Sequence, residues 1–406
     1  MIDIISEYEI TQQQLGLFST FEFICVMTNT SKGESVIVAG AGAFGGWTAL
    51  MLLRKGFKVT LVDPWGPGNN RSSSGGETRF IRYVYGGQHI YTTLSLRAKE
   101  LWIDLERDID KQLLIPKEVL WLSQTKQNTY LDEAIPAFDK YKIGYEKLTP
   151  KEAQIRFPNL NTEDLEFLLI EKDAGILKAR EACQSVVKVF LKEGGIYLQQ
   201  EARPLKNNTG KVAGLQLANG DTLTAGHYIF ACGPWLKKLF PEVLADVLEI
   251  TRQEVFFFGT PPGYADYFEH EMLPWLDVEG TSMYYGFPGY DYRGFKMAHH
   301  HPGATFDPTD DERIVTSEEL QKARTYLEHR FPIMKGAPLV ESRVCQYSST
   351  KEDHFILDRH PEMDNLWLLG GGSGHGFKHG PAIGELMANV LAQTAHIPEA
   401  FLLNKI

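Results

Sequence analysis

VIVAGAGAFGGWTALMLL, residues 36–53, opens with a short apolar run, Val36 to Val38, that reads as a strand buried in a parallel sheet. Gly40, Gly42 and Gly45 follow with the spacing G-x-G-x-x-G, and a helical pattern runs from Phe44 to Lys55. In such an arrangement the first glycine makes the tight turn. The second lets a pyrophosphate approach the backbone, and the third lets helix and strand pack closely. The N–H groups at the helix start face the phosphates. A second strand, Lys58 to Val62, ends in Asp63, about 20 residues past the glycines. A carboxylate there accepts hydrogen bonds from ribose hydroxyls and repels a 2′-phosphate, which favours FAD or NAD over NADP. Strand, glycines, helix, strand and acid fall in order, so the stretch predicts a dinucleotide site. The rival readings are a plain tight turn and a methyltransferase, which also places a glycine loop and an acid at strand ends.

The chain has 406 residues, more than one ordinary core organises, so two domains are expected. A hydrophobic content of 43% with 23% charged residues is that of a soluble globular protein. The net charge of −11, with no basic run, argues against a nucleic-acid partner. Cys25, Cys183, Cys232 and Cys345 are too few and too scattered for a disulfide framework or a zinc site, which suits a reducing cytoplasm. No apolar run is long enough to span a bilayer, so no membrane partner is expected. Residues 1–33 carry Asp3, Glu7 and Glu9 without a basic n-region and do not read as a signal peptide. Either the natural start is Met27, or they are a loosely attached leader, or they form an extra N-terminal helix packed on the surface.

Residues 64–89, rich in Gly, Ser, Pro and Asn, read as a long loop holding Arg79 and Arg82 among aromatics. Helices are predicted over Ile90–Arg107, Glu152–Phe157 and Ala179–Leu191, and strands over Val119–Leu122, Gly195–Gln199, Lys211–Leu217 and Thr222–Thr224. Asn219-Gly220 marks a hairpin turn. The run His227–Ala231 leads into Gly233, a strand end of the kind that closes on a dinucleotide. Residues 250–335 read as a second, β-rich domain, and after Val344 the chain is expected to return to the first. There Leu366–Leu369 is a strand, GGGSGHGFKHGPAIG a second glycine loop, and Ile383–Ala392 a helix. A helix start at this loop can stabilise negative charge on a reduced flavin.

These residues add up to a resemblance. The chain resembles the FAD-dependent amine oxidases of the monomeric sarcosine oxidase and N-methyltryptophan oxidase type, from about Ser35 to the C-terminus. Five segments carry it in order: GAGAFGG at 40–46, GETRFIRYVYG at 76–86, YYGFPGYDYRGFKMAHH at 284–300, RVCQYSSTKEDHFILDRHP at 343–361 and GGSGHGFKHGPAIGE at 371–385. Ser74 and Gly75 stand where the family often has two histidines, and Glu77 where it has Asp. The stretch EMLPWLDVEGTS at 271–282 matches poorly. The resemblance implies an α/β chain, α+β overall. Its Rossmann-like FAD-binding domain is discontinuous, over 34–113, 174–248 and 340–406. A mainly antiparallel β-sheet substrate domain covers 114–173 and 249–339.

The resemblance also assigns roles. Gly40, Gly42, Ala43, Phe44, Gly45, Asp63, Gly233, Gly374, His375, Gly376, Phe377 and Lys378 hold FAD, and Cys345 carries it covalently on a thioether. Such a link requires a thiolate at the ring edge. Arg82 and Lys378 clamp the substrate carboxylate, two cations on one anion. Arg79 lies beside the flavin ring and favours its reduced anionic form. Lys296 offers a fixed ammonium to the anion formed when oxygen takes the first electron. Tyr285 and His300 line the substrate pocket and bias the amine to its neutral form. His299, His300 and His301 point to alternate faces of a strand, so the three cannot chelate together and no metal is expected. The implied activity is oxidation of the C–N bond of a small secondary amino acid, N-methyl or cyclic, by hydride transfer to FAD. The imine hydrolyses, and O2 becomes hydrogen peroxide on a monomeric enzyme. The alternatives are a dehydrogenase that passes electrons to a carrier, and a non-catalytic nucleotide-binding protein.

Overall fold

The computed structural model describes residues 33–206, 211–279, 282–301 and 303–406. The readings of the N-terminal extension, Met27 and Cys25 included, lie outside these residues, apart from Gly33.

The strand Ser35–Ala39 sits inside a six-stranded sheet. It pairs in parallel with Lys58–Val62 on one side, Val38 opposite Leu61, and with His227–Phe230 on the other, Val38 opposite Ile229. Ile196–Leu198 extends the sheet beyond Lys58–Val62, and Met363–Gly370 beyond His227–Phe230, both in parallel. Ile356–His360 closes the far edge in the antiparallel sense. The continuous apolar run at 36–39 is explained by burial on both faces: Val36, Ile37, Val38 and Ala39 are each at most 4% exposed.

The helix Ala43–Arg54 leaves the glycine loop and lies against the helix Gly380–Leu391 at very close range. A β-carbon on Gly384 would fall 2.6 Å from the Trp47 carbonyl carbon, and one on Gly380 would fall 2.8 Å from Ala43 O. The second glycine loop thus opens a helix clamped onto the first. The amphipathic pattern at 90–107 is the helix His89–Ile109, whose Trp102 meets Trp47 edge to face at 5.0 Å. The helix predicted at 152–157 is Pro150–Arg156, capped by Thr149 with Glu152 reciprocating. Ala179–Lys192, the Asn219-Gly220 hairpin and its flanking strands stand within a residue or so of expectation.

An eight-stranded sheet forms the second layer. Its order is Leu339–Ser349, Glu249–Phe258, Phe295–His300, Ser282–Phe287, Trp275–Glu279, Val119–Ser123, Phe167–Glu171 and Tyr145–Leu148. Every pairing is antiparallel except that of Trp275–Glu279 with Val119–Ser123, which joins the two segments expected to make up the substrate domain. The strand Leu339–Ser349, whose residues from 340 on are expected in the nucleotide half, pairs along its length with Glu249–Phe258, Cys345 opposite Gln253. The alternating pattern of this strand shows that one face is buried but not which sheet receives it. The loop at 64–89 contains a further strand, Thr78–Ile81, in a small sheet with Gly175–Lys178 and Leu114–Pro116. That sheet carries Arg79 between the two large ones.

Candidate active site

At the glycine end the backbone does the positioning. Gly40 takes φ +104°, and a β-carbon there would lie 2.4 Å from Ala231 O. On Gly45 it would lie 1.9 Å from Gly40 O, so the loop closes only around hydrogen at both positions. Gly42 has more room: its β-carbon would meet Ser74 Oγ at 3.2 Å. That Ser74 oxygen accepts from Ala43 N at 3.0 Å, so the residue standing where the family often has histidine holds the helix start. Gly75 has no space for a side chain, since a β-carbon would sit 2.4 Å from Asn69 O. Asp63 Oδ2 accepts from Ala41 N at 2.9 Å, and its Oδ1 accepts from Trp65 N and Gly66 N, each at 2.8 Å. Burial pushes this carboxyl upward while the three amides pull it back down. Ala231 N bonds Ala39 O at 2.8 Å, which brings Cys232 and Gly233 beside the glycine loop.

In the middle, two cations converge on one carbonyl. Lys296 Nζ donates to Thr78 O at 3.0 Å and to Thr78 Oγ1 at 3.1 Å, and Arg79 Nη1 donates to the same Thr78 O at 2.8 Å. Arg79 also donates to the carbonyls of Ser73, at 3.0 Å, and Gly75, at 2.6 Å, and so ties down the loop ahead of it. Lys296 is 4% exposed and stands 4.7 Å from the centre of the Phe287 ring. Burial, and then the charge of Arg79, lower its pKa well below that of an ordinary lysine. Glu77, longer than the family's Asp, bridges to Arg343 at 2.9 Å and Arg293 at 3.1 Å. Cys345 is half-buried on Leu339–Ser349, the strand that also carries Arg343.

The far end is a buried charged cluster. Arg82, 6% exposed, lies 4.5 Å from the centre of the Tyr85 ring and 5.1 Å from that of Trp121, and donates to Val84 O. Lys378, 3% exposed, donates to Tyr85 Oη at 2.6 Å and to His375 O at 2.9 Å. Tyr85 therefore touches both cations. Burial and the charge of Arg82 lower the Lys378 pKa well below the usual value. Glu171, fully buried, accepts from Tyr83 N and from Trp121 Nε1, the latter at 3.0 Å. Burial raises its carboxyl to about 7. On the cavity wall, His300 Nδ1 and Tyr347 Oη are 3.3 Å apart. Burial, then Arg82, push His300 down to about 4. Gly374, at φ +72°, packs so closely that a β-carbon would lie 2.8 Å from the Tyr347 ring.

One cavity of about 1380 Å³ runs through all three regions. Gly40, Gly42, Ala43, Phe44, Asp63, Arg79, Arg82, Gly233, Tyr285, Lys296, His300, Cys345, Gly374, His375, Gly376, Phe377 and Lys378 line it. Of the residues singled out from sequence, Gly45 alone stays out of the wall, and its part is packing. Thr78, Tyr85, Glu171, Tyr347 and Tyr130, whose hydroxyl lies 3.4 Å from Arg82 Nη1, were not singled out. Tyr347 lies within the matched C-x-Y segment, where a signal was available, whereas Glu171 closes an ordinary apolar strand, FLLIE.

The family of FAD dependent oxidoreductases matches residues 35–390. The chain belongs to that family. Monomeric sarcosine oxidase from Arthrobacter sp. (strain TE1826) is 30% identical over 384 residues, covering 92% of this chain and 97% of the relative. N-methyl-L-tryptophan oxidase from Yersinia pestis (strain Pestoides F) is 25% identical over 358 residues, covering 87% and 93%. Among solved structures, L-proline dehydrogenase from P. horikoshii shares the fold at a TM-score of 0.77 and 17% identity, covering 91% and 96%. The oxidoreductase has room for its cofactor where the chain predicts it. Gly42 lines the cavity without a side chain, the helix start at Ala43 lies beside it, and the cavity continues from there past Arg79 and Cys345. No described helix is long and apolar enough to cross a membrane.

Proposed function

We propose that this enzyme is a sarcosine-oxidase-like amine oxidase that acts on small secondary amino acids, N-methyl or cyclic, as a monomer, with O2 as electron acceptor. The observation that carries this reading is the pair of buried cations at one end of the cavity. Arg82 and Lys378 come from segments almost 300 residues apart and both bear on Tyr85. Glu171, its carboxyl raised to about 7 by burial, offsets at most one of these two charges, so the cluster keeps a positive charge for an incoming carboxylate. Arginine can grip that carboxylate bidentately, with Lys378 as a second donor. With the carboxylate so held, Tyr285 and the neutral His300 face the amine and favour its unprotonated form. FAD, when bound, supplies the two-electron acceptor. Lys296, fixed on Thr78, offers positive charge to oxygen as it becomes anionic. Cys345 is the proposed point of covalent attachment, since it lines the cavity on a strand that faces the nucleotide loop.

A panel of N-methyl and cyclic amino acids, read by peroxide release, tests the substrate class and the acceptor together. Turnover that needs an added dye or quinone and yields no peroxide would select the dehydrogenase instead. The covalent link is tested by acid precipitation: the pellet should be yellow, and with Cys345→Ser the colour should move to the supernatant. A yellow supernatant from the unmutated protein would refute attachment.

A further inference from the structure

Side chains alternate along the strand Phe295–His300 and into His301. His300 turns to the cavity beside Tyr347. His299 and His301 share the opposite face, their ring centroids 4.3 Å apart. The run of three histidines splits as its spacing requires, but another element supplies a third donor. The helix Ser317–Arg330 brings Glu319 to this face, with Oε2 3.8 Å from His301 Nε2. One donor atom from each of His299, His301 and Glu319 lies within 4.8 Å of the other two. We infer that these three residues form a binding site for a divalent transition metal of the zinc class, on the face of the sheet away from the flavin cavity.

Two imidazoles and a carboxylate are a zinc donor set, with the fourth position left to water. Bonds of about 2.1 Å in a tetrahedral shell place ligand atoms about 3.4 Å apart. The donors therefore have to close by roughly 1 Å, which side-chain rotation supplies. Two features hold them ready. The Tyr284 ring stacks on His299 at 4.2 Å, nearly parallel at 7°, and fixes the plane of the imidazole. Lys322 Nζ stands 2.7 Å from Glu319 Oε1, which leaves the other carboxylate oxygen toward His301. All three donors are half-buried, so an ion can reach them from solvent. Imidazole donors favour zinc, copper or nickel over magnesium and calcium, which prefer oxygen. A bound ion would tie strand to helix directly behind His300.

The test uses the full chain with its flavin, stripped with a chelator and titrated with Zn2+ by calorimetry. Co2+ serves as a spectroscopic probe at wavelengths beyond the flavin bands. One equivalent of Zn2+ should bind, and millimolar Mg2+ should not displace it. His299→Asn with His301→Asn should weaken binding at least 100-fold, and Glu319→Gln about 10-fold. Lys322 is exposed, so Lys322→Met should fold normally. By removing a cation from the carboxylate it should tighten binding several-fold. Zn2+ affinity unchanged in the double histidine variant, or unchanged in Lys322→Met, would overturn the site. So would a Co2+ complex lacking the bands of a nitrogen-and-oxygen ligand set.

Discussion

At the Gly42 end of the cavity the wall is mostly main chain: a glycine without a side chain, the amides of Ala41, Trp65 and Gly66 on Asp63, and a helix start held by Ser74. At the Lys378 end it is side chain, with two buried cations, a buried carboxyl and three tyrosines gathered from distant segments. The first kind of wall is built mostly from residues 40–75, closed by Ala231, and depends on what is absent, namely β-carbons. The second depends on charges that burial makes costly, as the lowered pKa values of Lys296 and Lys378 and the raised value of Glu171 attest. Such charges are kept where function needs them, whereas backbone geometry is fixed by packing alone.

The largest expected effect strikes the backbone end. Gly45→Val places a β-carbon 1.9 Å from Gly40 O and forces strand and helix apart. Overpacking of this kind costs about 1–3 kcal/mol or more in stability. The variant should retain less than a tenth of the normal flavin after gel filtration, and full retention would mean that the close approach is dispensable. Next comes Lys296→Met, which keeps the apolar stem and removes the ammonium. Stopped-flow absorbance should show reoxidation by oxygen slowed about 100-fold or more, with reduction by substrate little changed. The opposite split would move Lys296 to the amine site.

Lys378→Met and Arg82→Met probe the clamp. Each should raise KM for an amino acid by roughly 1.5–3 kcal/mol, the worth of a hydrogen bond to a charged group. An amine without a carboxylate should be a poor substrate for the unmutated enzyme and should be indifferent to both changes. The smallest effect belongs to Tyr347→Phe, which removes a neutral hydrogen-bond partner from His300. It should lower kcat/KM by about 0.5–1.5 kcal/mol. The same wall predicts a pH profile. His300 is held near 4, so it is neutral at pH 5 and above and gains a proton only as pH falls toward 4. A step in kcat/KM near pH 6.5 that vanishes in His300→Asn would contradict that assignment.

The same contrast governs how much could be read in advance. The glycine spacing, the acid at Asp63 and the strands beside them are local patterns, and each appears in the structure where its residues place it. Arg82, Lys296, Cys345 and Lys378 came from matched segments, because nothing in their neighbours' spacing says that they meet. Glu171 escaped notice because a carboxylate at the end of an apolar strand ordinarily faces water, and only the folded sheet shows it enclosed by Tyr83 and Trp121. The sheet membership of Leu339–Ser349 is not legible in the sequence for a related reason. Its partner, Glu249–Phe258, is some 90 residues away, and pairing at that distance leaves no trace in periodicity.

The clamp between the helices Ala43–Arg54 and Gly380–Leu391 has a consequence for biosynthesis. The glycine loop is among the first described parts to leave the ribosome, and the helix that covers it is among the last. At about 5–20 residues per second, roughly 20–70 s separate the two. Through that interval the Trp47 face of the first helix lacks its final partner, and the strands Ile356–His360 and Met363–Gly370 have yet to join the edge at His227–Phe230. The enzyme therefore completes its nucleotide half only once the helix Gly380–Leu391 has emerged. Cofactor capture is expected to follow that step, and a nascent chain stalled before residue 380 should carry none.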